Sequence, residues 1–239
     1  MSSRIVVLFM MLFLGCGLLS ADTITVTGVD NTRGVTSLLW IDEHGTPTNV
    51  YYAGVINLLL NQTFQRDSLC AQLFVDIGLS TYNTTVMTPY AAEAEFGRNL
   101  EQAAWLVHKE LPLVTTADEG AGLQLAIWDI VEDGGDGLTQ GNVKASTDPS
   151  NPTDPTILGL AEAYEKESVG EGSNLAFVYV NTSFGGVPAQ MLIGPEFGSG
   201  PVPTPEPSTL GLGGLGLVAA SLLLRKKFGY RSRKADPAS

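Results

Sequence analysis

The apolar pattern of this chain changes period twice, and that change restricts the fold more than any other feature. Up to Met87 the residues follow strand rules. Asp22 to Val29 alternates apolar and polar side chains; Val35 to Ile41, Val50 to Leu60, Leu69 to Ile77 and Tyr82 to Met87 are further β-rich runs. Asp42 to Asn49, with Gly45 and Pro47, reads as a turn. The period then becomes helical. Phe96, Leu100, Ala103 and Val107 share one face of a helix that Pro112 ends. Thr116 or Asp118 can cap a second helix, in which Leu123, Ala126, Ile127, Ile130 and Val131 form an i, i+3, i+4, i+7, i+8 stripe. Residues 132–137, EDGGDG, stop it. A third helix, Ile157 to Lys166, follows a loop carrying Pro149, Pro152 and Pro155, and Leu175 to Val180 and Ala189 to Ile193 return to strand. Strands, then helices, then strands imply an α+β body over residues 22–193: an antiparallel sheet or barrel with a helical insertion.

The two ends are different material. Residues 1–21 carry Arg4, an apolar run and then Ser20 and Ala21, the layout of a secretory signal peptide. Leu14-Gly15-Cys16 faintly resembles a lipoprotein cleavage site, with Leu14 large where a small residue is wanted. Cleavage near Ala21 leaves Cys70 as the single cysteine, so no internal disulfide is expected. At the other end, residues 194–208 form a Pro/Gly linker. Residues 209–224 are sixteen residues without charge, about 24 Å as a helix. That is short of a bilayer core of roughly 30 Å, so this transmembrane segment suits a thinned membrane. Arg225, Lys226 and Lys227 follow and mark residues 225–239 as a cytoplasmic tail, with the body outside.

Charge divides the same way. Residues 22–200 hold 23 acidic and six basic side chains, a net of −17. Such a body repels phosphates and anionic lipid, which excludes nucleic acid as a partner. Enzyme signals are sparse. His44 sits in the expected turn and His108 near a helix end. The chain has no nucleophile-elbow serine, phosphate loop or metal-spaced His or Cys set. Asp133 and Asp136 could touch Ca²⁺, but two carboxylates fall short of a calcium loop, so a plain helix-ending turn is the expectation, with no metal and no cofactor. A surface hydrolase using paired carboxylates stays open only if such a pair converges in a cleft.

Two resemblances add to this. Pro205-Glu206-Pro207-Ser208, the glycine-leucine run and Arg225-Lys226-Lys227 closely resemble the PEP-CTERM sorting signal of bacterial exported proteins. That likeness implies recognition and removal of the tail by a membrane protease, exosortase, and delivery to the cell surface or an extracellular matrix. The stretch from Phe228 to Ser239 is longer than the family's usual few basic residues. The body, from about Cys70 to Val180, resembles the thioester domains of bacterial surface proteins. Leu69-Cys70 fits the cysteine element, Ala103-Ala104-Trp105-Leu106 an intervening helix, and Leu123-Gln124-Leu125-Ala126-Ile127-Trp128 the glutamine helix. Related cargo reads Cys-Val-Asp-Leu-Phe where this chain has Cys70-Ala71-Gln72-Leu73-Phe74. A second register would put Phe74 in the cysteine slot and Val75-Asp76 on the Val-Asp. The resemblance implies an internal Cys70–Gln124 thioester, shielded by Trp128, that captures surface amines on a protein or polysaccharide. It implies a single event rather than turnover. The alternative is a structural matrix protein without that bond.

Overall fold

A computed structural model describes residues 22–43, 46–145, 153–183 and 186–195, with residues 36–43 and 46–51 described by backbone alone. Seven strands form one antiparallel sheet: β1 (Asp22–Glu43), β2 (Thr46–Leu60), β3 (Phe64–Cys70), β4 (Thr81–Met87), β5 (Val143–Ala145), β6 (Ala176–Thr182) and β7 (Leu192–Pro195). Their order is β2-β3-β7-β6-β4-β1-β5, and β1 also pairs with β2. That extra pairing closes six strands on themselves. The long β1 makes it possible: its first residues pair with both β2 and β4, and its far end, Ile41 to Glu43, pairs with β5. Closure gives each of these six strands a partner on both sides.

Among the described residues four helices complete the α+β body: α1 (Pro89–Phe96), α2 (Leu100–Glu110), α3 (Ala117–Asp133) and α4 (Pro155–Ser168), with a 3₁₀ turn at Leu111–Leu113. The first three lie in the chain between β4 and β5, and α4 between β5 and β6. Helix α3 is central. Every residue from Gly120 to Val131 is buried, and the helix packs against β1, β2 and α4. A helix apolar on one face needs one neighbour; one buried all round needs several. Two glycines let those neighbours approach. A Cβ on Gly120 would lie 2.0 Å from the Arg33 carbonyl oxygen of β1, and one on Gly122 would lie 2.7 Å from Leu160 Cβ of α4.

The structure corrects several local expectations. The two expected strands before residue 42 are one strand, interrupted by register shifts between Val26 and Gly28, Val29 and Gly34, and Thr36 and Leu39. Such bulges hide a continuous strand because they break the two-residue alternation. The expected turn at 42–49 is tighter: Thr46 to Asn49 already pair with β1, and His44 lies outside the described residues. Strand β3 ends at Cys70 instead of beginning near it. Phe96 ends α1, since Gly97 adopts a left-handed conformation, and α2 begins at Leu100. Residues 194–195 belong to β7 and not to a linker. The signal peptide 1–21, the rest of the linker, the segment 209–224 and the basic tail fall outside the described residues. Among the described residues no helix is long and apolar enough to cross a membrane.

Candidate functional site

Helix α3 starts at a capping box. Thr116 Oγ1 accepts from the Glu119 N–H at 3.3 Å, and Glu119 Oε2 accepts from the Thr116 N–H at 3.0 Å. Asp118 and Glu119 in the first turn complement the helix dipole. This firm start, together with the close approach at Gly120, presents Gln124 to the end of β3. Gln124 is 1% exposed and Cys70 is 6% exposed. Cys70 is held in register by its pairing with Leu192 of β7.

The two residues meet through a double hydrogen bond. The Cys70 N–H donates to Gln124 Oε1 at 2.8 Å, and Gln124 Nε2 donates to the Cys70 carbonyl at 2.7 Å. The glutamine carboxamide thus pairs with the Cys70 peptide group as one strand pairs with another. An N–H aimed at the carboxamide oxygen polarises its carbonyl and sits where negative charge would grow during attack on the carbon.

The sulfur has a different neighbour. Cys70 Sγ donates to Gln190 Oε1 at 3.1 Å. Gln190 is itself fixed: its Nε2 donates to the Gln72 carbonyl, and its own carbonyl accepts from Asn181 Nδ2 at 2.8 Å. Gln72 Oε1 accepts from the Met191 N–H at 2.9 Å. An acceptor oxygen is therefore kept at position 72. Gln190 and Gln72 were missed by sequence reading, because nothing local marks a contact spanning 120 residues. Burial, then the charge of Asp76, pushes the Cys70 thiol well above its ordinary range, so it is held protonated. Trp128 lies one turn beyond Gln124 on α3, 2% exposed, with its indole N–H unpartnered.

Elsewhere, His108 is exposed in the last turn of α2, as the dipole favours. Asp133 and Asp136 are joined by Asp129, the three offering oxygens within 4.8 Å of one another. Burial pushes the Asp129 carboxyl up to about 6, with Asp136 and Asp133 adding to the rise against a bond from the Gly137 N–H.

The tail decides the protein's handling. Residues 203–227 match the PEP-CTERM protein-sorting motif. The chain carries a PEP-CTERM sorting signal. A PEP-CTERM tail means export, membrane anchoring through the tail and processing by an exosortase-type system. Pro205, Glu206 and Pro207, and the cluster Arg225, Lys226 and Lys227, lie within the matched stretch. Two solved Streptococcus pyogenes structures are similar to the body. One is the N-terminal domain of the pilus tip adhesin Cpa, at 11% identity and TM-score 0.40, covering 72% of this chain and 97% of that one. The other is the N-terminal thioester domain of the fibronectin-binding protein SfbI, at 7% identity and TM-score 0.39, covering 73% and 98%. Likeness at that level fixes neither activity nor partner. No curated protein matches the chain.

Proposed function

We propose that the body of this exported protein is a single-use covalent attachment module for a cell surface or extracellular matrix. The observation that supports it best is the two-way pairing of the Gln124 carboxamide with the Cys70 peptide group. In the first step the Cys70 sulfur attacks the Gln124 side-chain carbonyl carbon. The S–C bond forms, the C–N bond breaks, and the thiol proton leaves on ammonia. In the second step an amine on another surface attacks the same carbon. An amide forms, the sulfur leaves and takes up a proton, and the thiol is restored. The thioester is the better electrophile of the two because a thiolate leaves more readily than an amide anion. Water competes with the amine, so burial of the pair is a requirement of the chemistry, with Trp128 a wall of the shielded site. The amine belongs to a protein or a polysaccharide.

A non-covalent structural role is the second reading. It is favoured by the contact of the sulfur with Gln190 Oε1, an arrangement in which Cys70 is a core residue and Gln124 a backbone brace. Treating the mature chain with methylamine and mapping the adduct by peptide mass separates the two. The attachment reading expects the adduct at residue 124 in the wild type and none in Cys70→Ala. No adduct, or equal labelling of Cys70→Ala, leaves the structural reading.

A further inference from the structure

Helix α3 ends against the rule for helix charges. A C-terminus carries partial negative charge and favours cations. Here its last two turns carry Asp129, Glu132 and Asp133, with Asp136 just beyond. Glu132 is answered by Arg98 Nη1 at 2.5 Å. Among the described residues, no ion pair answers the other three.

Asp133 folds the following loop back onto the helix end. Its Oδ2 accepts from the N–H groups of Asn142 at 2.7 Å and Val143 at 2.6 Å, and its Oδ1 from Asn142 Nδ2 at 2.6 Å. The returning chain passes so close that a Cβ on Gly141 would lie 2.6 Å from Asp133 Oδ2 and 2.8 Å from Asp136 Oδ1. Two carboxylates are thereby gathered on one side of the loop, and Asp129, one turn back along α3, supplies the third within 4.8 Å.

Asp129 supplies the second pointer. It is 0% exposed. Its Oδ2 accepts from the Gly137 N–H at 3.0 Å, while Oδ1 is buried without a partner. Buried carboxylate oxygens are normally satisfied, and one left open beside two further carboxylates calls for a cation. The ligand atoms are all hard oxygens, and the loop that carries Asp136 is glycine-rich and unconstrained by regular structure, features that suit Ca²⁺ over the stricter octahedral demand of Mg²⁺.

The geometry points to a Ca²⁺ site at the C-terminus of α3, formed by Asp129, Asp133 and Asp136, with water completing the coordination. The ion would pin the loop to the helix that presents Gln124, yet the site stands whether or not the thioester forms. Sequence reading saw only Asp133 and Asp136, because Asp129 lies inside the apolar stretch AIWDIV, where a carboxylate looks structural.

The test is calorimetric titration of the EDTA-treated mature chain in detergent with CaCl₂, paired with thermal unfolding in Ca²⁺, Mg²⁺ or EDTA. The proposal expects a single Ca²⁺ bound with Kd on the order of 10⁻⁴–10⁻³ M, as in extracellular modules, and a higher Tm in Ca²⁺ than in Mg²⁺. The exposed Asp136→Asn is expected to weaken binding by about tenfold or more while folding normally in EDTA, since it removes a like charge. Asp129→Asn, which keeps an acceptor for the Gly137 N–H, is expected to lose the Ca²⁺ response as well. Absence of binding by the wild type overturns the proposal. So does an unchanged Kd in both variants.

Discussion

Removing the Gln124 carboxamide strips two hydrogen bonds from the Cys70 peptide group at once. Gln124→Ala made in the Cys70→Ala background, where the carboxamide survives, leaves a buried N–H and a buried carbonyl unpaired, at an expected cost of about 2–4 kcal/mol in denaturant unfolding. Cys70→Ala keeps both backbone groups paired and is expected to lose less. Equal losses would show that the pairing contributes nothing beyond the sulfur. Of this site, Cys70, Gln124 and Trp128 could be named only through the resemblance to thioester domains; the structure sets the Gln124 carboxamide against the Cys70 peptide group and buries Trp128. Gln190 was not, since its contact with the sulfur depends on how β7 enters the barrel. A second residue-scale prediction concerns acid. Bonds from Thr32, then Arg33, hold the Asp30 carboxyl down at about 2. A carboxyl depressed in the fold stabilises it above the ordinary carboxylate range, and that contribution disappears as pH falls from about 4 toward 2. Asp30→Asn is therefore expected to flatten the fall of Tm between pH 4 and 2 and to leave the shape of the curve above pH 5 unchanged. An unaltered acid slope would remove Asp30 from the account.

At the scale of elements, α3 is where sequence and structure agree best. Its apolar stripe, its Thr116 cap and its stop at EDGGDG are all local signals, and all three hold. The rest of its burial was hidden, because Gly120 and Gly122 read as weak helix formers when they are points of close approach. Gly120→Ala drives a Cβ into the Arg33 carbonyl, a backbone atom that cannot rotate away. The expected cost is about 1–3 kcal/mol, with reduced methylamine labelling at residue 124 because the helix is displaced. Full labelling at wild-type rate would show that the approach does not position Gln124. Helix α1 escaped sequence reading for a different reason: PYAAEAEF has no apolar face, and only Pro89 and Ala92 are buried. Strand β5 escaped because three residues carry no period.

For the whole molecule, fold class was readable, but the choice between the open sheet and the barrel that the sequence left side by side was not. The change of period implies strands around a helical insertion, but the ring closes through β1 with β4 and β3 with β7, pairings that no local window contains. The tail is the opposite case. Its meaning is carried by contiguous residues, so the PEP-CTERM signal could be read directly. Replacing Pro205, Glu206 and Pro207 together by alanine is expected to leave an unprocessed precursor in the membrane fraction, with the barrel still exported. Normal processing of that variant would contradict recognition through those residues.

The central claim is covalent, and intact mass tests it most directly. The mature wild-type chain should be lighter than its sequence by one ammonia. Cys70→Ala should show its full mass, and added methylamine should restore and extend the wild-type mass by one amine. A wild-type chain at full mass, with a thiol that titrates freely after unfolding and no response to amine, would contradict the attachment chemistry and leave a sorted structural protein of the surface.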